Sequence, residues 1–219
     1  MKAVILVATL KKPEELSTTQ VLSEVVAERL HQSEVETELI HLQSHNIPPG
    51  NKTNEGSGDE WPKIFKKMTE ADIIIFATPI WWGGHSSLLQ RVYERMDEVN
   101  DKLLETGRTP LHDKVGGMII TGAEDGAEHI IGSISNFMIW NGLTLPPACS
   151  VSWLGDRTGK DAAALKAEYT KDPTKGMTDL MCQNLVYLAT LIKKHPIPKK
   201  STGWSASTFS GAIGFRSKS

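Results

Sequence analysis

The sequence predicts an α/β protein, a five-stranded parallel sheet with helices on both faces. Continuous apolar runs at residues 3–8, 72–77 and 115–121 lack polar alternation, the pattern of strands covered on both sides. Stretches with apolar residues at helical spacing separate these runs. Strands that alternate with helices require right-handed crossovers, and hence a parallel sheet.

The elements follow in order. The run at residues 3–8, flanked by Lys2 and by Lys11 and Lys12, looks superficially like a signal peptide. It is short and no small-residue cleavage site follows, so it reads as a buried first strand. Val21, Leu22, Val25, Val26 and Leu30 then recur at helical spacing and predict a helix over 17–31. Residues 35–42 alternate like a half-buried strand. Residues 43–60, rich in Pro, Gly, Asn and Ser, form a loop leading to a short helix at 62–69.

After the strand at 72–77, residues 78–85 are a loop, and Leu88, Leu89, Val92 and Met96 form the inner face of the next helix. Residues 100–113 look like an inserted connection. The strand at 115–121 leads through a loop at 122–126 to a helix bearing Ile130, Ile131, Ile134, Phe137, Met138 and Asn141. Residues 143–153 are expected to hold the last strand. Helical patterns follow near 160–170 and 178–194, and Pro196 and Pro198 end them. Residues 1–195 thus read as one domain. Residues 196–219 read as a C-terminal tail, Ser/Gly-rich and cationic, with Trp204, Phe209 and Phe215; it is either disordered or packed on a partner subunit.

Composition narrows the function classes. With 219 residues, 39% hydrophobic and 23% charged, the chain is ordinary globular material that buries roughly 70% of its unfolded surface. A formal charge of −2 provides no positive field for a nucleic-acid backbone or an anionic membrane. No apolar stretch approaches the roughly 20 residues of a membrane span. Cys149 and Cys182 are too few for a disulfide framework, a four-thiolate zinc site or a metal cluster, so no metal is expected and a reducing cytoplasm fits.

In an open parallel sheet, ligands gather beyond the carboxyl ends of the strands where strand order reverses. Only the loops leaving the first, third and fourth strands are expected there. In the first, Ser17-Thr18-Thr19-Gln20 is a capping-box pattern that explains Ser17 as a helix cap. The same helix start offers unpaired N–H groups and three hydroxyls to a phosphate, with Lys11 or Lys12 as countercharge. In the second, Thr78-Pro79-Ile80-Trp81-Trp82-Gly83-Gly84 sets two indoles beside glycines. Core or dimer packing explains the indoles equally well; the glycines favour close approach of a planar ligand. In the third, Thr121-Gly122-Ala123-Glu124-Asp125-Gly126 is by itself a generic strand-to-helix turn whose acidic pair is a solvated tip. Gly155-Asp156-Arg157-Thr158-Gly159-Lys160 is one residue short of a P-loop and lies on the wrong strand, so nucleotide hydrolysis is not supported.

Together these segments resemble the NADPH-dependent FMN reductase family of flavodoxin-like proteins. The most specific piece is Thr78-Pro79-Ile80-Trp81-Trp82-Gly83 followed by Ser86, Leu88-Leu89 and Arg95-Met96-Asp97, and the resemblance covers residues 1–153. It implies a flavodoxin-like fold with strand order 2-1-3-4-5. It also implies an FMN held by Thr9, Lys11, Ser17, Thr18 and Thr19 at its phosphate, by Pro79, Ile80, Trp81, Trp82 and Gly83 along its ring, and by Thr121, Gly122, Glu124, Asp125 and Gly126 at its pyrimidine edge. The family's Ser-Pro-Arg opening is replaced by Thr9-Leu10-Lys11, and the cysteine-rich motif of the related iron-sulfur flavoproteins is absent. The implied activity passes hydride from NAD(P)H through FMN to a small-molecule acceptor such as a quinone or flavin. No catalytic side chain is expected, because the flavin carries the chemistry. A homodimer or homotetramer is implied as well.

Three rivals stand beside this reading. An electron-carrier flavodoxin would keep the cofactor, although such carriers are generally acidic. A cofactor-free flavodoxin-like module would serve assembly or regulation. A serine hydrolase would use Gly84-His85-Ser86-Ser87-Leu88, which only partly matches the G-x-S-x-G elbow.

Overall fold

In a computed structural model, which describes residues 1–123 and 125–198, the three apolar runs pair side by side as parallel strands. β1 (Lys2–Val7), β3 (Ile73–Pro79) and β4 (Val115–Gly122) form the centre, and β2 (Glu36–His41) and β5 (Ser150–Leu154) the edges, in the order β2-β1-β3-β4-β5. Ile5 sits opposite Leu39 and Ile75, Ile75 opposite Gly117, and Ile119 opposite Val151.

Successive side chains point to opposite faces, so each central strand feeds two cores. Val4, Leu6, Ile74, Phe76, Met118 and Ile120 face one core, and Ile5, Val7, Ile73, Ile75 and Ile119 face the other. The first core is covered by α2 (Trp61–Glu70), α3 (Ser87–Arg95), α4 (Asp97–Thr106) and α5 (Ala127–Trp140). The second is covered by α1 (Thr18–His31), α6 (Ala162–Tyr169) and α7 (Thr174–Lys194).

Two expectations need correction. The stretch expected as an inserted connection at 100–113 begins within a helix: α4 follows α3 almost without a break and stops at Gly107, whose φ of 72° and N–H bond to Leu103 O (2.8 Å) close it. The last strand is shorter than 143–153. Thr144 makes one isolated bridge to Val115, then Pro146 and Pro147 remove two backbone donors, and pairing resumes only at Ser150. Of the expected tail, residues 197 and 198 are held by Arg108 and Asp113; residues 199–219 lie outside the described residues.

The long loop before α2 is held by Arg95. Its shielded guanidinium donates to Lys52 O (2.8 Å), Pro48 O (3.2 Å) and both carboxylate oxygens of Asp59 (3.2 and 2.5 Å). Among the described residues, no helix is long and apolar enough to cross a membrane, and no group of three or more His, Cys, Asp or Glu is placed to hold a metal.

Candidate functional site

A cavity of about 640 Å³ opens at the carboxyl ends of the strands, within the usual range for small-molecule sites. The turn after β1 supplies its first wall. Ser17 caps α1 with extended backbone (φ −123°, ψ 123°): its Oγ accepts from Gln20 N–H (3.3 Å) and donates to Thr9 Oγ1 (3.0 Å). Thr18 Oγ1 donates to Thr121 Oγ1 (3.1 Å), and Thr19 Oγ1 lies 2.7 Å from the same atom. Thr9, Ser17, Thr19 and Thr121 are buried, so these hydroxyls tie the first turn to the end of β4. What the start of α1 presents to the cavity is therefore Thr18 and the N–H groups of its first turn, which have no intrahelical acceptor. Lys11 Nζ donates to Leu16 O (2.6 Å). Burial lowers the Lys11 pKa from its usual value, Arg157 lowers it further, and Glu15 opposes the shift.

The turn after β3 supplies the second wall. Pro79, Ile80 and Trp81 line the cavity, and Ile80 N–H donates to Thr121 O (2.8 Å). Trp81 and Gly84 then exchange both backbone hydrogen bonds (2.8 and 2.9 Å) around Trp82 and Gly83. Positive φ at both central residues, 51° and 76°, marks a two-residue hairpin of type I′. Trp81 is 51% exposed, and Trp82 at the tip is 95% exposed.

The turn after β4 meets this hairpin. A Cβ on Gly126 would lie 2.6 Å from Gly83 Cα, and one on Gly122 would lie 2.9 Å from Ile80 Cβ. The two turns are thus in contact through glycine backbone. Thr121, Gly122 and Ala123 line the cavity. Asp125 accepts from Gly126 N–H (2.8 Å).

Of the residues singled out from sequence, Thr9, Lys11, Ser17, Thr18, Thr19, Pro79, Ile80, Trp81, Thr121 and Gly122 come together around one cavity. Trp82, Gly83, Asp125 and Gly126 are outside its lining, and Glu124 is outside the described residues. The expectation of three converging turns needs correction, because a fourth joins them. Trp153 and residues 155–160 close the remaining side. Gly155 N–H donates to Gly122 O (2.8 Å), which carries the exit of β5 across the exit of β4. A Cβ at Gly155 would approach Trp153 Cζ2 to 2.5 Å. The Trp153 indole is held edge-on to Tyr169 (5.3 Å) and donates from Nε1 to Glu168 (3.1 Å). Two glycines bracketing Asp156, Arg157 and Thr158 were the available sequence signal.

The chain matches the NADPH-dependent FMN reductase family over residues 1–154. It is 29% identical over 208 residues to an 8-demethyl-8-aminoriboflavin-5′-phosphate synthase of Streptomyces davaonensis, covering 90% of this chain and 80% of that protein. It is also 29% identical over 221 residues to the divalent metal cation transporter MntH of Mycobacterium bovis. That match takes in 98% of this chain and 32% of the transporter, so the chain spans about a third of that relative. Among solved structures, RosB with its bound intermediate 8-demethyl-8-formylriboflavin-5′-phosphate superposes with a TM-score of 0.76 at 26% identity, over 98% of this chain and 86% of RosB. An NADH:FMN oxidoreductase superposes at 0.63 and 14% identity over 89% of this chain and 91% of its own, which shows the shared fold. With its flavodoxin-like sheet and a family match that spans all five strands, the chain belongs to the NADPH-dependent FMN reductase family.

Proposed function

We propose that this protein holds FMN at the carboxyl edge of its sheet and acts as an NAD(P)H oxidoreductase that reduces a small acceptor, a quinone or a flavin. The observation that carries the reading is the convergence of a helix N-terminus and a Pro79-Ile80-Trp81 wall on one cavity of about 640 Å³. Those parts fit a phosphorylated planar ring. The N–H groups of Thr18 and Thr19 at the start of α1 would take the phosphate, joined by the Thr18 hydroxyl once it turns from Thr121. Pro79, Ile80 and Trp81 would lie along the ring, with Gly122 lacking the Cβ that would displace Ile80 from that wall. Thr121 belongs to the supporting layer, because its hydroxyl engages Thr18 and Thr19. Bound FMN would supply the hydride chemistry, and the protein would supply orientation and restricted access.

The test is an absorption spectrum of purified protein after adding FMN, then NADPH without oxygen. Flavin bands that shift on binding and bleach with NADPH support the reading; absence of binding overturns it. A second reading is favoured by the relatives named for riboflavin phosphates: the flavin phosphate is itself the substrate. Mass spectrometry of the flavin recovered after turnover separates the two, because a cofactor returns unchanged and a substrate does not.

The half-exposed indole of Trp81 on the cavity wall supports a homodimer or homotetramer, which light scattering measures directly. Cys149 and Cys182 are unpaired, which supports a reducing cytoplasm.

A further inference from the structure

Apart from Trp153, the fourth wall of the cavity lies beyond the family match, which ends at residue 154, and it brings charge of its own. Lys11, Arg157 and Lys160 are the cations of the lining, and Asp156 is its carboxylate. Lys160 is occupied: its ammonium pairs with Glu168 and sits 5.5 Å from the centre of the Trp153 ring. Asp156 is occupied too, accepting from the Thr158 N–H (2.8 Å) and hydroxyl (2.6 Å). Lys11 spends one donor on Leu16 O and keeps two. Among the described residues, neither Lys11 nor Arg157 is in an ion pair.

Arg157 is nevertheless close enough for its charge to act on Lys11, against the weaker pull of Glu15. Two like charges lining one cavity repel unless an anion joins them. The start of α1 lines the same cavity, and its partial positive charge has the same sign. A phosphate monoester suits this arrangement: it carries close to two negative charges at neutral pH and three acceptor oxygens. A guanidinium fork binds two such oxygens at once. Riboflavin offers the same rings with no such group.

We propose that Arg157, together with Lys11, is the countercharge for the flavin 5′-phosphate, so that the turn after β5 decides the preference for FMN over riboflavin. This rests on the flavin reading above.

The experiment titrates the full chain with FMN and with riboflavin at low and high salt, following flavin fluorescence, for wild type, Arg157→Gln and Arg157→Lys. Arg157 is exposed and unpaired, so the fold does not depend on it. In Arg157→Gln the FMN dissociation constant rises roughly 10- to 100-fold, because a charge-assisted hydrogen bond to the phosphate is removed. Riboflavin binding changes less than about two-fold, the salt dependence of FMN binding flattens, and Arg157→Lys recovers part of the affinity. Equal weakening of both flavins, or of neither, overturns the proposal, as does an Arg157→Gln effect confined to the NADPH concentration dependence. Wild type that binds FMN and riboflavin equally also overturns it while leaving the flavin reading intact. Wild type that binds no flavin overturns both.

Discussion

Replacing Gly126 by alanine tests the contact that joins the second and third turns. Gly126 has φ 123°, and an added Cβ would sit 2.6 Å from Gly83 Cα, 2.9 Å from Gly83 O and 3.0 Å from Gly83 C. These are backbone atoms of a closed hairpin, so no flexible side-chain end can move aside. Holding a non-glycine residue in that region costs about 1–3 kcal/mol. The reduced chain freedom of the unfolded state returns roughly 0.4–1 kcal/mol. Forcing the Cβ against hairpin backbone adds about 1–3 kcal/mol, so the net destabilisation is about 1–5 kcal/mol, which for a chain of this size lowers the melting midpoint by roughly 2–20 °C. Gly132 is the control: it lies inside α5, the helix that Gly126 precedes, with nothing within 4 Å of an added Cβ. Gly132→Ala should raise stability by about 0.5–1 kcal/mol. Urea titration gives the stabilities, and FMN titration shows whether the two turns must meet for the ring to bind. Gly126→Ala with wild-type midpoint and wild-type FMN affinity would refute the contact and the rigidity inferred from it.

Two further substitutions probe how loops are held. Asp59→Asn should cost about 3–5 kcal/mol in denaturant, because it leaves the shielded Arg95 guanidinium without its counterion. Burial alone would raise the Asp59 pKa; hydrogen bonds from Arg95 and from the backbone of Glu55 and Trp61 outweigh it and lower the pKa from 3.8 to about 2. The folded value is below the unfolded one, so the contribution is full above about pH 4 and fades as pH falls toward about 2. The stability gap between wild type and Asp59→Asn should narrow over that window; a constant gap would contradict the pairing. Trp82→Asn creates Asn-Gly at a type I′ turn and removes a side chain that is 95% exposed, so stability should rise by about 1 kcal/mol. A lower midpoint would mean that the indole is covered, for instance by a second subunit.

Much of this protein is legible from near neighbours in the chain. Uninterrupted Val, Ile and Leu at residues 4–7 and 73–75 read as strands with two covered faces, and Ser17 ahead of an amphipathic stretch reads as a helix start. Such signals depend on period and on side-chain chemistry within a few residues, and tertiary packing reinforces them. The meeting of Thr18 and Thr19 with Thr121, more than 100 residues away, depends instead on which strands lie side by side. The same holds for Arg95 with Asp59, and for the bond from Gly155 to Gly122 that carries Arg157 over to the cavity. Trp81 and Trp82 are adjacent and chemically alike, yet a two-residue turn with positive φ sends one to the cavity wall and the other to solvent. Local pattern determined the elements other than α4 and the start of β5, and three of the turns. Strand order and turn geometry, which act between residues the pattern cannot connect, decided which side chains face the cavity.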